Sequence, residues 1–156
     1  MKKVKEYIIN QENVFEAEDV FEKYNAQKDF TTLEAWKKAR LVKLFFYKEV
    51  IPFLPTEEKF NLNLQIRKAA VSATANISEG YGRFHYQEGI QFYRISRGSI
   101  YELKDHLISC YDLDFINRET FEKGIYLIED AKATLNGFIK YAISQKEANN
   151  INPKPK

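Results

Sequence analysis

Four long stretches of helical periodicity follow one another between residues 31 and 145, with only short breaks between them. The breaks fall at Pro52-Phe-Leu-Pro55, around Gly82–His85 and at Asp112–Asn117. Apolar side chains recurring every three or four positions bury one stripe of each helix, and short connections make successive helices antiparallel. The pattern predicts an all-α fold, an antiparallel up-down four-helix bundle over residues 31–145. The chain has 156 residues, enough for one such domain, and its six glycines and four prolines are too few for a turn-rich β fold. Residues 1–30 form an N-terminal extension in which Val4, Tyr7, Ile8, Val14, Phe15, Phe21 and Tyr24 allow one or two short amphipathic helices. Residues 146–156 are polar and proline-containing, and a disordered tail is expected there.

The first helix is expected to start at Thr31 or Thr32, either of which could cap it, and to run to about Ile51. On a helical wheel Trp36, Ala39, Val42, Phe46 and Val50 form one side, while Leu41, Leu44 and Phe45 lie well round from them. A helix apolar on two sides asks for a second neighbour. Trp36, Phe45, Phe46 and Tyr47 are therefore candidates for an oligomer interface. The second helix, from about Glu57 to Gly82, places Leu62, Ile66, Ala69, Ala70, Ala73, Ile77 and Gly80 on one face, small enough for close helix approach. A polar stripe of Gln65, Ser72, Asn76, Glu79 and Arg83 runs beside it. The third helix, about Tyr86 to Tyr111, turns Phe92, Ile95, Ser96, Ser99, Leu103, Leu107 and Cys110 inward. Gly98 in its middle costs about 1 kcal/mol relative to alanine, which close helix contact or an approaching ligand would offset. The fourth, about Glu119 to Ser144, repeats Phe121, Ile125, Ile128, Leu135, Ile139 and Ala142, with Lys132 as its one polar intruder.

The residues offer little for catalysis. Cys110 is the only cysteine, so an intramolecular disulfide and a CxxC motif are both excluded. His106 stands four residues before it, but a lone cysteine beside Leu103 and Leu107 reads as a small hydrophobe. His85 has no second ligand nearby, and no HExxH, Walker or GxGxxG pattern occurs. No catalytic residue, metal site or cofactor is expected. The basic start Met1-Lys-Lys-Val-Lys5 is followed by too short an apolar run for a signal peptide, and no segment reaches membrane-span length. The chain is placed in the cytoplasm.

Net charge is +2, but residues 1–30 sum to −2, which leaves +4 on the remainder. That excess permits an anionic partner. Arg67, Lys68, Arg83, Arg94 and Arg97 are the candidate phosphate contacts for a nucleic acid. The alternative is structural: Ser72, Asn76, Glu79 and Glu102 build a polar network in which the two glutamates pair with arginines and Asn76 bonds a neighbouring helix. Both readings stand on sequence alone.

Three segments carry a resemblance: Ile66-Arg-Lys-Ala-Ala-Val-Ser72, Asn76-Ile-Ser-Glu-Gly-Tyr-Gly-Arg83 and Phe92-Tyr-Arg-Ile-Ser-Arg-Gly-Ser-Ile-Tyr-Glu-Leu103. With Leu33-Glu-Ala-Trp-Lys-Lys-Ala39 and Tyr111-Asp-Leu-Asp-Phe-Ile116 they resemble the bacterial four-helix-bundle proteins encoded in 23S rRNA intervening sequences, over residues 31 to about 140. The resemblance implies a homo-oligomeric ring, typically a pentamer, without known enzymatic activity and with RNA as the suspected partner. A related bundle, the accessory variability protein of diversity-generating retroelements, implies the alternative of a scaffold that docks a protein such as a reverse transcriptase. Ala73-Thr74-Ala75 stands where the family more usually has Ile-Pro-Ser, which implies a straighter second helix. The first thirty residues have no counterpart in it.

Overall fold

The computed structural model of the chain describes residues 29–83 and 85–151. The expectations for residues 1–28 and for 152–156 lie outside them. The described residues are all-helical, with no strand. Four helices dominate: α1 (Glu34–Phe45), α2 (Leu62–Gly82), α3 (Tyr86–Asp112) and α4 (Arg118–Ile151). Short turns flank α1: a 3-10 turn (Phe30–Thr32) before it, and a π-turn (Phe46–Val50) and a second 3-10 turn (Ile51–Phe53) after it. A further 3-10 turn (Thr56–Phe60) leads into α2. Each helix packs on two others around one core, α2 most extensively on α3. As residue numbers rise along one helix, those of their partners fall along the next. Ser72 meets Ser99, and Gly80 meets Gly89. Arg97 meets Asn136, and Lys104 meets Glu129. Lys38 reaches Asp130, and Glu49 reaches Lys123.

All seven residues assigned to the inner face of α2 are buried. Their small size lets α3 come close. The Ser96 hydroxyl donates to the Ala73 carbonyl at 2.6 Å, a bond between a side chain and a neighbouring helix backbone. A Cβ on Gly80 would stand 2.6 Å from Tyr93 Cε1 and 2.9 Å from the Gly89 carbonyl oxygen, so only glycine fits this approach.

The first helix departs from its expected form at both ends. Neither threonine caps it. Asp29 instead accepts from the Thr31 amide at 2.8 Å and caps the start of the preceding 3-10 turn, while Leu33 starts α1 with no side-chain cap. At the far end the π-turn takes an extra residue into the turn, so each residue advances by less than about 100°, and the consecutive rings of Phe45 and Phe46 both enter the core. They meet edge-on at 5.5 Å, and Phe45 lies on Gly124, where a Cβ would stand 2.7 Å from its ring. The surplus aromatics therefore find their second neighbour inside the chain, on α4. Phe45 and Phe46, expected at an oligomer interface, are 3% and 0% exposed and offer no such surface. Trp36 is half-buried, edge-on to Phe30 at 5.3 Å, and Tyr47 stays half-exposed.

The inner face of α3 is rotated relative to the expected one. Ile95 is exposed and Phe92 half-buried, whereas Ile90, Tyr93 and Ile100 are buried. Packing on α4 as well as α2 turns this arc, and Tyr93 meets Phe138 edge-on at 4.8 Å. Burial raises the Tyr93 phenol to about 12. Among the described residues nothing beyond the backbone of α3 itself lies within 4 Å of a Cβ placed on Gly98, so no contact with another described helix accounts for it. At its C-terminus α3 closes on Asp114, which holds φ 58 as the Phe115 amide donates back to the Cys110 carbonyl at 2.9 Å. Asn117 then caps α4, accepting from the Thr120 amide at 2.9 Å.

The fourth helix runs past the expected end near Ser144, through Ile151, so residues 146–151 are helical and not part of a disordered tail. Lys132 is half-buried and pairs with Glu129. The cation inside the fold is Lys123, 8% exposed, whose ammonium donates to both Glu49 oxygens at 2.8 Å. This pair fastens the π-turn to α4.

Candidate nucleic-acid interface

The five candidate cations do not form one patch. Arg67, in α2, and Arg83, just past its end, are about 24 Å apart at 1.5 Å per residue. Arg83 is engaged within the chain: it donates to Glu79 at 2.7 Å and lies 4.9 Å over the Phe92 ring. Arg97 donates to Asn136 on α4 at 3.1 Å. Arg94 is exposed, and no partner for it occurs among the described residues.

Of the expected polar network one glutamate–arginine pair forms, and it lies at the surface. Glu79 is exposed and bound to Arg83 on its own helix. Glu102 lies 3.5 Å from His106 Nε2, also on its own helix, and about three turns of α3, ~16 Å, from the level of Glu79. Asn76 donates to the carbonyl and the hydroxyl of Ser72, one turn back, at 2.8 and 2.9 Å. Only Ser72 crosses to a neighbouring helix, accepting from the Ser99 hydroxyl at 2.7 Å. These side chains point along α2 because i and i+4 are its natural neighbours, a geometry that the spacing contained but does not by itself distinguish from a cross-helix bond.

What the structure does bring together is the middle of α2 and the π-turn. Tyr47, Arg67, Lys68, Val71, Ser72 and Asn76 line one open groove of about 510 Å³ on the solvent side of α2. No carboxylate is among them. The Arg67 guanidinium lies 5.0 Å over the Tyr47 ring while its Nε donates to Asn63 at 2.7 Å, which holds its plane in place. Lys68 is exposed and has no partner among the described residues. Beneath the groove Lys43 donates to Thr74 at 3.2 Å, and burial, then Arg40, lowers its pKa from the usual lysine value. Sequence reasoning assigned Tyr47 to one role, Arg67 and Lys68 to another, and Ser72 and Asn76 to a third. Their meeting depends on the π-turn, which no wheel drawn at 100° per residue shows.

The cysteine–histidine pair does not form a nucleophile and its base. Cys110 is fully buried, and burial raises its thiol to about 11. His106 Nε2 is buried, with no hydrogen-bond partner among the described residues. Among the described residues no group of three or more His, Cys, Asp or Glu is placed to hold a metal ion, and no helix is long and apolar enough to cross a membrane.

An all-helical bundle with a cationic, aromatic-floored groove defines the class of molecule. Residues 31–137 match the model of the 23S rRNA-intervening sequence protein family, and the chain belongs to that family. No curated protein matches it.

Proposed function

We propose that this chain works by binding, not catalysis, as an up-and-down bundle that self-associates into a pentameric ring and engages RNA through the α2 groove. The groove carries the reading. Lys68 and Arg67 stand where phosphates can be neutralised, and the Arg67 plane stacked on Tyr47 is a platform for an unstacked base. The opposed residue numbering of the pairs between neighbouring helices supports the up-and-down connection. The buried, protonated Cys110 favours a non-enzymatic role, since a reactive thiol needs an accessible thiolate.

Self-association rests on the family resemblance and on Gly98. That glycine weakens α3 without serving a close contact to another helix among the described residues, and the exposed Tyr101 and Ile108 lie on the same outer side of the helix. A neighbouring subunit approaching there would give the glycine its reason. A ring repeats a modest cationic groove several times, so that weak single contacts add as avidity.

Light scattering of the purified chain with and without single-stranded RNA, at low and moderate salt, tests both halves. A particle near five times 18.4 kDa that gains RNA mass only at low salt is the expected result. A multimer indifferent to RNA overturns the RNA half and leaves a scaffold for a protein partner.

A further inference from the structure

The end of the bundle where α1 finishes, α2 starts, α3 finishes and α4 starts carries a surface unlike the groove. Phe53, Phe60 and Leu113 are 67%, 81% and 55% exposed there. Around them stand Glu57, Glu58, Asp112, Asp114 and Glu119 against Lys59 alone, because Arg118 is taken by Glu122 at 2.6 Å; the net charge is −4. Residues 31–156 sum to +4, so the rest of that span carries +8. Large apolar side chains in an acidic rim repel a nucleic acid and fit an apolar segment with lysines.

The chain contains one such segment. Residues 2–9, Lys-Lys-Val-Lys-Glu-Tyr-Ile-Ile, hold three lysines against one glutamate, with Val4, Tyr7 and Ile8 at helical spacing. Residues 10–28 carry five acids and two lysines, and their charge of −3 disqualifies them. Residues 152–156 are basic, but their only apolar side chains are two prolines, and α4, which precedes them, starts at this end and runs away from it. Reach also permits the match. Asp29 lies at that opposite end, and Glu34 to Val50 covers about 25 Å at helical rise. The nineteen residues 10–28 span about 28 Å even if wholly helical, and more than 60 Å if extended.

We infer that residues 2–9 dock on the Phe53–Phe60–Leu113 end of their own bundle, lysines against the acidic rim and Val4, Tyr7 and Ile8 over the exposed rings. The association covers the most apolar exposed end of the fold and is sensitive to salt.

Disulfide trapping in the full chain tests it. Ile8→Cys is combined with Leu113→Cys, or with Ala75→Cys beside the groove as a control; both partner sites are exposed, and the buried Cys110 stays out of the reaction. A bond within one chain is expected to form about tenfold faster to position 113 than to position 75, a difference set by effective concentration. Lys2→Glu, Lys3→Glu and Lys5→Glu together are expected to reduce it to the control rate. Equal rates at the two positions, bonds that join two chains only, or indifference to the charge reversal would each overturn the inference.

Discussion

The groove on α2 and the end of the bundle from which α2 starts are neighbours, since Phe60 and Arg67 are separated by about 10 Å of helix rise. They differ in almost everything else. The groove has two cations, a tyrosine floor, two polar side chains and no carboxylate. The end has three exposed large apolar residues in a rim of net charge −4. A net charge of +2 for the whole chain conceals this division. The difference teaches that one short stretch of helix presents surfaces suited to different kinds of chain: a phosphate polymer on the groove, a basic polypeptide at the end.

Both regions hang on one support, and the largest effect is expected there. Glu49 and Lys123 fasten the π-turn that carries Tyr47 into the groove and leads the chain to Phe53. Replacing Glu49 with alanine removes the carboxylate that Lys123 grips twice, and urea melts should show a loss of roughly 3 kcal/mol. Groove variants come next. Arg67→Glu with Lys68→Glu should lower RNA affinity about tenfold or more and flatten its salt dependence by about two counterions, read from filter binding across a salt series. The same assay on Asp112→Asn with Asp114→Asn should change affinity by less than about twofold, because these charges are screened from the groove. Backbone strain at the acidic end gives a small effect of the opposite sign, on stability. Asp114→Gly places the residue suited to φ 58 at the close of α3 and should raise stability by about 0.5–1 kcal/mol in thermal melts.

The helices were legible in the sequence because their apolar spacing is long and regular, and the small face of α2 was legible residue by residue. Ala70, Ala73, Ile77 and Gly80 are all buried where the wheel placed them. The wheel went wrong where its assumptions did. One π-turn moved Phe45 and Phe46 together into the core, and a second packing partner turned Ile95 out and Ile100 in. Lys123 had no signal, since a buried lysine is marked only by its carboxylate, and Glu49 lies 74 positions away. Of the candidate site, the residue types could be named, but not which cations were spent on local partners. Arg83 on Glu79 and Arg97 on Asn136 are settled by side-chain geometry: the i, i+4 spacing of the first pair fits either outcome, and the partner of the second lies 39 positions away.

The most direct test of the account is photo-crosslinking of single-stranded RNA to the full chain at low salt, with the modified peptides identified by mass spectrometry. The account predicts adducts on Tyr47 and on the α2 peptide that contains Arg67 and Lys68. Adducts concentrated on residues 51–61 and 112–119, with the groove unmodified, would contradict it.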